Sequence, residues 1–71
     1  MNEEILFKGF SDAYVKALEY LNEEKQELAK TQYLKMFELH SRLNNLGVKH
    51  LLDITNKNMR EIFSRLSVKS N

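Results

Sequence analysis

Apolar residues recur at spacings of three and four along most of the chain, the period of a helix with one buried face. Tyr14, Val15, Ala17, Leu18 and Leu21 follow this pattern, with Lys16, Glu19 and Glu23 turned outward. They predict a first helix over about residues 12–25, capped by Ser11 or Asp12. Tyr33, Met36, Phe37, His40, Leu43 and Leu46 predict a second over about residues 29–46, stopped by Asn44, Asn45 and Gly47. The polar stretch from Asn22 to Glu27 holds no turn former, so the pattern leaves the break between these helices open from Lys25 to Ala29. Val48, Leu51, Leu52 and Ile54 read as an apolar connector, and Thr55 or Asn56 as the cap of a third helix, about residues 56–66, carrying Met59, Ile62, Phe63 and Leu66.

Glycine occurs at Gly9 and Gly47 and proline nowhere, so these glycines are the main punctuation. Residues 1–9 read as a short leader, free to be mobile, whose Ile5, Leu6 and Phe7 can dock on the body; residues 10–68 read as one domain and 69–71 as a tail. With no repeat and no alternating strand pattern, the expected fold is all-α: a small orthogonal or bundle-like packing of three helices.

At 71 residues the chain is one domain near the lower limit for burying a core. It contains no cysteine, so neither a disulfide nor a thiolate metal site is available, and a reducing, cytoplasmic setting is expected. No apolar run approaches the roughly 18 residues of a membrane span, and Met1-Asn2-Glu3-Glu4 lacks the basic start of a signal peptide.

The net charge of +1 hides an asymmetry. Residues 1–28 carry three lysines against seven acids, whereas residues 29–71 carry eight basic side chains against three acids. A field polarised in this way leans toward a polyanionic partner. On the second helix Thr31, Lys35, Glu38, Arg42 and Asn45 share the arc opposite the apolar one; Lys57, Arg60, Ser64 and Arg65 form the outer arc of the third.

Candidate chemistry is sparse. His40 lies on the apolar arc, and with only His50 elsewhere it reads as a packed or boundary histidine rather than a metal ligand. Glu23 and Glu24 point about 100° apart on a helix and cannot act as an acid–base pair. Tyr14 and Tyr33 read as core residues, no serine or threonine has a base at useful spacing, and no glycine-rich phosphate loop occurs. Neither catalysis, a cofactor, a metal nor a small-molecule substrate is expected of this segment.

One ordered series goes further. Phe10-Ser11-Asp12-Ala13-Tyr14, then Tyr33 four residues before Phe37, Leu43, Gly47, and Leu52-Asp53-Ile54-Thr55 ahead of Met59, Ile62, Phe63 and Leu66 resemble the N-terminal, SAM-like core-binding domain of tyrosine recombinases and phage integrases. The likeness covers about residues 10–66 and is sharpest at Asp53-Ile54-Thr55. Ala29 stands where that family often has threonine, and Thr31 lies two residues later.

The resemblance implies a segment of a recombinase that helps clamp duplex DNA beside other protomers, the catalytic domain lying elsewhere in the parent protein. Lys30, Thr31, Lys35 and Arg42 are the DNA contacts it implies, with Lys57 and Arg60 as weaker ones. Such cations bind phosphates by charge and release counterions. The alternative is a helical protein-interaction or phage regulatory module that self-associates or binds a partner, supported by the acidic first helix against the basic remainder.

Overall fold

The computed structural model describes residues 2–69, with side chains through Ser67. It is the expected all-α three-helix bundle: α1 (Glu3–Asn22), α2 (Gln26–Leu46) and α3 (Lys49–Lys69). Helices of 20 or 21 residues are about 30 Å long. In a molecule measuring 36 × 17 × 14 Å, helices of that length must run along the long axis. Cross-helix bonds fix the sense as up, down, up. Arg65 of α3 donates to Asn22 Oδ1 at the end of α1 (3.1 Å), and Gln26 at the start of α2 donates to the Leu66 carbonyl (3.2 Å).

Each helix begins earlier than periodicity suggested, and the first also ends earlier, at Asn22 rather than near residue 25. The first begins at Glu3 rather than near residue 12, so residues 3–9 are helix and not a leader. Asn2 starts it, its Oδ1 accepting the Glu4 N–H at 2.7 Å, and Glu3 and Glu4 complement the positive end of the helix dipole. The stripe that holds it down is Leu6, Phe10, Ala13, Ala17 and Leu21, all buried. Gly9 does not punctuate the helix. It lies against α2 so closely that a Cβ there would meet Leu39 Cδ1 at 3.2 Å.

α1 ends without a glycine. The Lys25 N–H donates to the Tyr20 carbonyl (2.8 Å) and the Glu24 N–H to Leu21 (3.1 Å), the paired bonds of a Schellman motif, with Glu24 in the left-handed region at φ 60°. A residue with a Cβ is strained there by about 1–2 kcal/mol. Glu24→Gly is therefore expected to raise stability by about 1 kcal/mol in a thermal or urea melt, despite the added freedom of the unfolded chain. At the second turn Gly47 fills the left-handed position itself, at φ 72°, and its N–H bonds to the Asn44 carbonyl (3.0 Å).

The third helix begins at Lys49, so the supposed connector is its first turns and Thr55 is not a cap. Thr55 is fully buried in mid-helix. Its Oγ1 donates to the Leu52 carbonyl (3.2 Å) and lies 2.7 Å from His40 Nδ1 on α2. A hydroxyl has one proton, so with that proton on Leu52 the bond requires Nδ1–H of His40 to donate to Thr55. His40 is thus the packed boundary histidine expected. α3 runs through residues 67–69, where a trailing end was expected; the rest of the expected 69–71 tail, Ser70 and Asn71, lies outside the described residues.

Phe10, Met36, Leu43 and Ile62 are the largest fully buried apolar side chains, joined by Leu21, Met59, Leu66 and three alanines on α1 and α2. Alanine at 13, 17 and 29 suits a close approach of α1 and α2, which pack together more extensively than any other pair. α3 completes the bundle mainly against α2.

Candidate interaction surface

Several residues of the apolar arcs do not reach the core. Phe37 is 55% exposed, Phe63 58% and Leu34 67%, while Tyr33 is half-buried. All four lie where α2 and α3 run side by side on the face away from α1. The arc facing this cleft is wider than the buried line of Ala29, Met36 and Leu43, so Phe37 misses the core and borders the cleft, while Tyr33 packs against the core and also lines the cleft. Tyr33 and Phe63 meet across it, ring centroids 6.2 Å apart and planes tilted by 39°.

This aromatic pair separates two concavities. One, of about 300 Å³, includes Phe37, His40, Met59 and Arg60; the other, of about 370 Å³, includes Lys30, Leu34 and Leu66. Both share Tyr33 and Phe63, so they form one groove along the helix pair. Its walls are mostly apolar. Among the described residues its charged lining is Lys30 and Arg60, with no carboxylate. Sequence periodicity missed this site by assigning Phe37 and Phe63 to the core; the signal was present in an apolar arc broader than one helix contact needs.

The six residues implied as DNA contacts fall on separate surfaces. At about 100° per residue, Thr31, Lys35 and Arg42 lie within about 40° of one another on α2, whereas Lys30 is about 140° from Lys35. The first three are exposed on the flank toward α1, and Arg42 lines a small concavity with Leu6. Lys30 and Arg60 face the groove, and Lys57 is exposed on the outer side of α3. The Thr31 hydroxyl donates to the Glu27 carbonyl (3.1 Å), which engages the proton a phosphate contact would use. Lys30 pairs with Glu27 at 3.7 Å. Lys35, Arg42, Lys57 and Arg60 form no ion pair among the described residues.

On the opposite side, the Tyr14 hydroxyl donates to Glu61 Oε1 at 2.6 Å, tying α1 to α3. That bond raises the Tyr14 pKa, with smaller contributions from desolvation and the Glu61 charge, partly opposed by Arg65. The bond joins the first helix to the third. Among the described residues no cluster of three or more histidine, aspartate or glutamate side chains is placed to hold a metal ion, and no helix is long and apolar enough to cross a membrane. Comparisons with protein-family models, curated proteins and solved structures give no match to this chain.

Proposed function

We propose that the chain is a helical protein-interaction module that receives a helix of another protein in the α2–α3 groove. The observation that carries this reading is the contiguous apolar surface of Tyr33, Leu34, Phe37 and Phe63, with three of these side chains more than half exposed. Scattered apolar residues on a surface need no explanation, but a concave run of them between two helices is the geometry in which an amphipathic helix docks. Aromatic side chains in such a run supply most of the binding energy of a typical interface.

A saturable amide NMR titration with a synthetic amphipathic helix, leucines on one stripe and glutamines elsewhere, tests it. Shifts are expected around Tyr33, Phe37 and Phe63. They should vanish in Phe37→Ser/Phe63→Ser, which retains its helical circular dichroism because both side chains are largely outside the core. Absence of peptide shifts in the wild type would reject the reading.

Duplex DNA is the second reading, drawn from the resemblance to recombinase core-binding domains. It is favoured by the shared exposed arc of Lys35 and Arg42, neither of which is ion-paired within the described chain. It requires a different response in the same experiment: with a short duplex, shifts centred on Lys35 and Arg42 that fade as salt rises.

A further inference from the structure

We infer that the groove selects an acidic amphipathic helix, one bearing carboxylates six positions apart, one on each side of its apolar stripe. This rests on the docking reading above and adds the chemistry of the partner. The groove's charged lining residues are Lys30 in one concavity and Arg60 in the other, with the Tyr33–Phe63 ring pair between them. Among the described residues, no carboxylate lining the groove competes for either cation from within it. Lys30 precedes Tyr33 by three residues on α2, and Arg60 precedes Phe63 by three on the antiparallel α3. Three residues of helix rise about 4.5 Å, so the two cations lie about 9 Å apart along the groove, one beyond each side of the aromatic pair. On a docked helix about 9 Å corresponds to six residues, and positions six apart differ by about 120° around the axis, so one falls on each flank of a stripe facing the groove.

The same charges argue against a second copy as the occupant. Groove-to-groove pairing about a two-fold axis would bring two Lys30 and two Arg60 side chains together with no carboxylate among the lining residues to offset them. Head-to-tail docking would have to use exposed apolar residues outside the groove, which are scattered as Leu28 and Leu46 on α2, Ile54 on α3 and, ten positions apart on α1, Ile5 and Val15. Lys8 lies between the α1 pair and Lys16 follows, so that face offers neither a continuous apolar stripe nor uniform acidity. Existing carboxylates near Lys30 are weak competitors: the Glu27 contact is 3.7 Å long and both side chains are exposed.

The test compares three synthetic leucine-stripe helices by amide NMR titration of the intact chain at low salt. One carries glutamates six positions apart, one on each flank of the stripe, the second carries lysines there, and the third carries glutamines. The glutamate peptide is expected to bind about tenfold or more tightly than the lysine peptide, with the glutamine peptide between. Lys30→Gln/Arg60→Gln should erase the difference between the glutamate and lysine peptides while keeping the helical circular dichroism, both side chains being exposed. Equal affinities for the glutamate and lysine peptides would overturn the charge selection and leave the docking reading standing. If no peptide moves Tyr33, Phe37 or Phe63, both fail. Concentration-dependent shifts at those residues without peptide, confirmed by sedimentation, would replace the partner helix with a second copy.

Discussion

Phe10→Ala is expected to lower the stability of this domain by about 3–5 kcal/mol, whereas Phe37→Ala should cost less than about 1 kcal/mol. Phe10 has no exposed surface and lies in the same cluster as Met36, Met59 and Ile62, so its ring joins the three helices. Truncating a buried phenylalanine costs about 3–5 kcal/mol through lost burial and the cavity left behind. A domain of this size has on the order of 4–11 kcal/mol in total. For small domains each kcal/mol shifts the melting midpoint by about 4–8 °C, so a fall of about 12–40 °C is expected. Phe37 is more than half exposed and its truncation removes little burial. Thermal melts of the two variants followed by circular dichroism check the contrast; similar midpoints would show that the two rings do not differ in burial as described.

The same pair of residues shows what periodicity can and cannot convey. A stripe identifies which arc of a helix is apolar, but its width depends on how many neighbours the helix has. In a three-helix bundle the buried line is narrow, as with Ala29, Met36 and Leu43 or with Thr55, Met59, Ile62 and Leu66. Phe37 and Phe63 sit beside those lines and reach the groove instead. That site arises where two helices 26 residues apart in these positions converge, and no local spacing encodes the convergence. His40 was legible because one helix decides which arc it occupies. The split of the basic residues was half legible: the common arc of Thr31, Lys35 and Arg42 follows from spacing, but the pairing of Lys30 with Arg60 across the groove needs the packing of α2 on α3.

Helix boundaries failed for a different reason: each local signal had a second physical use. Glycine suits a helix stop, but it also permits two helices to approach, and Gly9 against Leu39 uses the second property. Threonine suits an N-cap, but its short side chain can also bond a carbonyl three or four residues back, and Thr55 does so while holding His40. Conversely, Glu24 carries no propensity for the left-handed conformation it adopts, so the end of α1 had no sequence marker. At Gly9 and Thr55 packing between helices determined the outcome over the local preference.

The start of α1 offers the second large effect. Leu6→Ala is expected to lower stability by about 2–3 kcal/mol, toward the lower part of the range of about 2–5 kcal/mol for buried leucines. Leu6 is 4% exposed, and its burial against the end of α2 anchors the first two turns of the helix. It also borders the concavity formed by Arg42, Asn45 and Leu46, where Leu46 is 48% exposed. Water can fill, and side chains relax into, a space so near the surface, which limits the cavity penalty relative to Phe10 at the centre. Ile5→Ala, one residue earlier on the same helix but 65% exposed, should be nearly neutral. A mobile leader would give the opposite pattern, both substitutions leaving a urea melt unchanged. A loss confined to Leu6 shows that the segment before Gly9 is folded onto α2 and that the glycine joins two parts of one helix.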